Sequence, residues 1–81
     1  MLLFVVEAAF AITGHGVILT PGIGKNDVRV GTPIRLLRPD GTILHSKICG
    51  IALFNESHDI LVGKEIRKED VPVGTEVWVD E

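Results

Sequence analysis

Glu7-Ala8-Ala9-Phe10-Ala11-Ile12-Thr13-Gly14-His15-Gly16-Val17-Ile18-Leu19-Thr20 decides how this chain folds. Two apolar runs flank Thr13-Gly14-His15-Gly16, whose two glycines accept positive φ without steric penalty. A strand, a tight reversal and a second strand follow from that order. Upstream, Leu2 to Val6 is apolar at both parities, as expected of a strand covered on two sides or wrapped around a barrel. The first strand is therefore expected to run from about Leu2 to Ile12, with Phe10 in the core. Glu7 interrupts this apolar run and no basic segment precedes it, so the run reads as a strand rather than a secretory leader. It is also far short of the ~20 apolar residues that a spanning helix needs.

Downstream, Pro21-Gly22 and Gly24 to Asp27 break the pattern, and Val28-Arg29-Val30-Gly31 leads into a strand from Pro33 to Leu37. Arg38-Pro39-Asp40-Gly41 places Pro second and Gly fourth, the signature of a type I turn with a bulge on its far side, and so of a second hairpin. Thr42 to Phe54 has mixed apolar parity, which puts a bulge or barrel corner at Gly50 and Phe54 in the core. Cys49 reads as a small buried hydrophobe. Asn55 to Asp59 is a polar loop, Ile60 to Val62 a strand, and Arg67 to Asp70 a charged connector. Val71-Pro72-Val73-Gly74 is a turn before Thr75 to Val79, where Val77 and Val79 share one face and Trp78 takes the other. No segment has a capped 3.6-residue period.

Residues 1–81 are one domain, and a chain this short buries roughly 60 to 65% of the surface it exposes unfolded. Hydrophobic residues make up 46% and charged residues 23%, a globular rather than a disordered balance. The net charge of −3 repels phosphate, so autonomous nucleic-acid binding is expected to be weak at best. One cysteine excludes an internal disulfide and points to a reducing, cytoplasmic setting. Six short strands between Gly and Pro turns are expected to form an all-β, small, closed antiparallel Greek-key barrel, because closure removes exposed edges.

The motifs of chemistry are missing. No Gly-x-x-x-x-Gly-Lys-Ser/Thr cradle occurs, and the glycines sit in hairpin turns instead of at a helix N-terminus. His15, His45 and His58 lie on separate elements without metal-ligand spacing, and the Asp-x-Asp/Asn pattern of a calcium loop is absent around Asn55 to Asp59. The chain has no Tyr, which removes the Arg-x-Tyr-Ser/Thr motif of flavin-binding barrels. Expected are no catalytic residue, no metal and no cofactor. Arg67-Lys68 is followed at once by Glu69-Asp70 and reads as a locally cancelled solvent face. Arg29, Arg35 and Arg38 cluster in sequence around one strand as a basic patch that could touch RNA. Trp78, off the core parity of its strand, is the candidate contact for a protein partner or a second copy.

Val6-Glu7-Ala8-Ala9-Phe10-Ala11-Ile12, the Gly14-His15-Gly16 turn, Ile18-Leu19-Thr20, Val30-Gly31, Gly50 to Phe54, and Ile66 to Val71 followed by Gly74 stand in an order that resembles the second domain of translational GTPases such as elongation factor Tu. The resemblance spans nearly the whole chain. It implies a translation-factor β-barrel in which Glu7 matches one of two strand-1 acids and His15 takes the place of a turn Arg. Ala8 replaces the second acid, and Asn55 to Asp59 is a shortened form of a later loop; both belong to the aminoacyl-tRNA pocket in that family, so carriage of aminoacyl-tRNA is not expected here. The implied activity is that of a non-enzymatic module acting through protein or ribonucleoprotein contacts. The alternatives are an RNA-contacting adaptor of the translation machinery, or a structural module that acts as a homo-oligomer.

Overall fold

The run from Leu2 to Ile12 forms two strands rather than one: β1 (Leu2–Val5) and β2 (Ala8–Ile12). Its hydrogen-bond partners change between adjacent residues. The Val6 N–H donates to the Thr75 carbonyl at 2.8 Å, and the Glu7 N–H to the Thr20 carbonyl at 2.9 Å. In this computed structural model residues 1–24, 26–52 and 58–80 are described. The remaining strands are β3 (Gly16–Thr20), β4 (Pro33–Leu37), β5 (Ile43–Ile51), β6 (Ile60–Val62) and β7 (Glu76–Trp78). Lys68–Asp70 forms a 3-10 turn, and there is no α-helix among the described residues.

The seven strands make one antiparallel sheet in the order β1-β7-β4-β5-β6-β3-β2, curled into a half-barrel. The count differs from the expected six because the first run divides, and its two parts supply both outer strands. Side chains directly opposite each other share a face. Leu19, Ile34, Leu36, Ile48, Ile60, Val62 and Val77 fill the concave side, none more than 2% exposed. Thr75 is the buried polar residue of this core, and its Oγ1 donates to the Pro72 carbonyl at 2.7 Å, so burial leaves no orphaned hydroxyl.

Both expected hairpins form. In the first, the His15 N–H returns to the Ile12 carbonyl at 2.9 Å. In the second, Gly41 sits at φ +91°, its N–H donates to the Arg38 carbonyl at 2.9 Å, and the Arg38 N–H donates to the Thr42 carbonyl at 2.8 Å. β5 bulges where anticipated. Ile43 to Lys47 pair with β4, Ile48 to Ile51 pair with β6, and the register slips between Ile48 and Gly50.

Two core expectations are corrected. Phe10 is 53% exposed: in the β2–β3 register it stands opposite Ile18, whereas Ala9 and Ala11 stand opposite the buried Leu19 and Val17. The inward parity of β2 thus belongs to small alanines. Cys49 is exposed, because it is the residue that the bulge leaves without an opposite partner. Phe54 lies outside the described residues. Val77 and Val79 are both buried, as their shared parity required.

Candidate functional site

Trp78 and Arg35 stand directly opposite each other, on β7 and β4. Val77 points into the core, so its neighbour Trp78 must point out, where it is half-buried. The indole Nε1–H donates to Glu76 Oε1 at 2.8 Å. Arg35 is opposite His45 across the β4–β5 pair as well, which builds an outward row of Trp78, Arg35 and His45 over three strands. The adjoining row holds Glu76, Leu37 and Ile43. Arg35, Leu37, Ile43 and Trp78 enclose a recess of about 220 Å³.

The Arg35 guanidinium is incompletely satisfied. Its Nη2 lies 3.0 Å from Asp80 Oδ1. Its Nε is buried and has no hydrogen-bond partner among the described residues. A cation, an indole face and two aliphatic side chains on one patch are suited to recognition of an amphipathic, anionic surface.

The other expected contact residues are dispersed. Arg29 is exposed in the loop before β4. Arg38 is tied into the second hairpin, where its Nε–H donates to Thr42 Oγ1 at 2.6 Å. Glu7 is exposed just past the break between β1 and β2. His15 is exposed at the tip of the first hairpin and lines a separate groove of about 380 Å³ with Ala11, Lys64, Ile66, Lys68 and Glu69. Of the six residues singled out in the sequence, only Arg35 and Trp78 come into cross-strand register with each other.

Arg67, Lys68 and Glu69 are exposed, so the charged connector is a solvent face with its charges locally cancelled, as expected. Arg67 pairs with Asp70 at 3.6 Å, and the Arg67 N–H donates to Asp70 Oδ2 at 3.0 Å. That backbone bond, ahead of the Arg67 charge, holds the Asp70 carboxyl below the usual carboxylate range. Lys68 and Lys64 instead border the His15 groove. Neither lysine was singled out from sequence, since their approach to His15 depends on the path after β6. Leu37 and Ile43 were also missed, although the Arg38–Gly41 turn fixes their pairing and contained the signal.

No group of three or more His, Cys, Asp or Glu side chains among the described residues could hold a metal ion. Among those residues no helix is long and apolar enough to cross a membrane. No family model, no curated protein and no solved structure matches this chain significantly.

Proposed function

We propose that the chain is a non-enzymatic β-barrel binding module similar to the second domain of translation elongation and initiation factors, acting through protein or ribonucleoprotein contacts. The observation that carries this reading is the pairing of Trp78 with Arg35 on an outward, partly apolar face. Tryptophan and arginine are the residue types that most often dominate interface energetics, and here they are neighbours. Closure of the sheet into a six-stranded Greek-key barrel through the run Leu2 to Ile12 is part of the proposal. It is supported by the Val6 and Glu7 N–H groups, which donate to Thr75, just before β7, and to Thr20 in β3, strands near opposite ends of the sheet order. A cytoplasmic setting fits an exposed, unpaired Cys49.

The test is affinity capture with the tagged chain, alongside its Trp78→Ala and Arg35→Gln variants, before and after ribonuclease treatment. A partner set retained by the parent protein and lost from both folded variants is the expected result. Equal capture by all three would overturn the reading.

A second reading, an RNA-contacting adaptor, is favoured by the groove beside His15, where Lys64 and Lys68 stand with a single carboxylate, Glu69, while the Arg67 that also lines it is paired with Asp70. Binding of a labelled RNA hairpin that weakens steeply with salt and disappears in the Lys64→Glu/Lys68→Glu variant supports it. Salt-independent or variant-independent retention refutes it.

A further inference from the structure

We propose that Arg35 and the recess formed by Leu37, Ile43 and Trp78 receive an extended peptide that carries an aspartate side chain with an aliphatic residue two positions away. Asp80 occupies the guanidinium when that peptide is absent. The inference rests on the reading of this face as the contact surface, and it adds the chemistry of the partner.

The Nε–H and one Nη2–H of an arginine lie on a single edge whose spacing matches the two oxygens of a carboxylate, so that edge is filled when both bonds form side by side. Asp80 uses half of it: Oδ1 meets Nη2 at 3.0 Å, while Nε is left buried without a partner among the described residues. A buried donor without an acceptor is costly to keep. A carboxylate able to meet both nitrogens would remove that cost, which Asp80 does not.

Asp80 is also easy to displace. Its side chain is 82% exposed and that of Arg35 is 40% exposed, and an ion pair in such a setting contributes little to stability. The cis contact nonetheless identifies the class of ligand that the guanidinium accepts: a side-chain carboxylate.

The apolar requirement comes from the neighbouring row. Leu37 lies two residues from Arg35 on the same face of β4, with Ile43 opposite it and Trp78 opposite Arg35. Ile43 is 50% exposed although it is a large aliphatic residue on a strand. On an extended peptide, side chains two residues apart share a face. An aspartate over Arg35 therefore brings the side chain two positions away over the recess of about 220 Å³.

Trp78 is the chain's single tryptophan, so its emission reports on this site alone. The probe is the capped peptide acetyl-Ser-Leu-Ser-Asp-Ser-amide, titrated into the full chain, with an otherwise identical peptide carrying Asn for Asp as control. Expected is a saturable change in Trp78 emission with the Asp peptide and none with the Asn peptide. Asp80→Ala should tighten the Asp peptide about two- to sixfold by removing an internal competitor whose contact is worth at most about 1 kcal/mol. Arg35→Gln should abolish the response while the thermal melt still shows a folded protein.

Several outcomes overturn the proposal: equal response to both peptides, unchanged affinity in Asp80→Ala, or no saturable response in either protein. Failure here is distinguishable from failure of the broader reading. If Trp78→Ala and Arg35→Gln lose their captured partner while Asp80→Ala leaves peptide binding unchanged, the surface stands and the aspartate chemistry falls.

Discussion

Gly16 passes so close to Val62 that a Cβ added to it would overlap the Val62 carbonyl oxygen. Gly16 also holds φ +126°, outside the range that residues with a Cβ adopt readily. The start of β3 is thus pressed against the end of β6.

Gly16→Ala should accordingly cost more than about 2 kcal/mol, from the unfavourable φ and the displaced carbonyl together. Gly14→Ala is the control: nothing lies within 4 Å of its added Cβ, so only the φ of +80° is penalised, at about 1 to 2 kcal/mol. Urea denaturation of the two variants measures the difference. Equal losses would mean that the Val62 approach is relieved without cost.

Phe10 and Leu36 give a second contrast. Phe10 is 53% exposed and Leu36 is fully buried. Phe10→Ala should change stability by less than about 1 kcal/mol, whereas Leu36→Ala should lose about 3 kcal/mol to the cavity it leaves. A thermal melt series that ranks Phe10 as the costlier residue would place it in the core after all.

Stability should fall in acid for reasons that can be assigned. The Asp40 carboxyl is held below the usual range, first by the Thr42 hydroxyl and next by the Thr42 N–H; the Asp70 carboxyl is lowered chiefly by the Arg67 N–H. Each binds fewer protons folded than unfolded, so its contribution is present above the unfolded value near about pH 4 and is lost as pH drops through the native one. Asp59 has the opposite sign, because burial raises its carboxyl and protonation relieves that cost. Thermal midpoints of Asp40→Asn and Asp70→Asn should lie below the parent's at neutral pH and converge with it between about pH 5 and pH 2. Asp59→Asn should show its advantage at neutral pH and lose it in acid.

Cys49 should react with Ellman's reagent in the native protein, without denaturant and at the stoichiometry of one thiol per chain. A thiol that appears only after unfolding would contradict its position on the bulge.

The parts of the fold legible in the sequence were those decided by neighbours in the chain. Pro39-Asp40-Gly41 announced the second hairpin, Gly14 and Gly16 the first, and Gly50 the bulge in β5, because turn and bulge chemistry acts over a few residues. The parity of Val77 and Val79 around Trp78 was equally local. The division between Val6 and Glu7 was not legible, since it arises where two strands remote in sequence, β7 and β3, compete for one run of backbone. Phe10 misled because hydrophobicity says that a side chain prefers burial, while the β3 register determines which parity of β2 obtains it. The pairing of Trp78 with Arg35 and the gathering of Lys64 and Lys68 beside His15 likewise depend on sheet order and loop path.

The sheet order also fixes a sequence of events in time. The hairpins β2–β3 and β4–β5 join neighbours, but β1 has one strand partner, β7, with Leu2 matched to Trp78 and Val5 to Glu76. Pairings between distant parts of a chain form slowly, after local ones. A growing chain therefore carries Leu3 and Phe4, both buried once folding is complete, uncovered until Glu76–Trp78 has been made. Exposure of Leu3 and Phe4 to aggregation therefore lasts at least until Glu76–Trp78 has been synthesised, and shielding of those two residues until then is what a chaperone would have to provide.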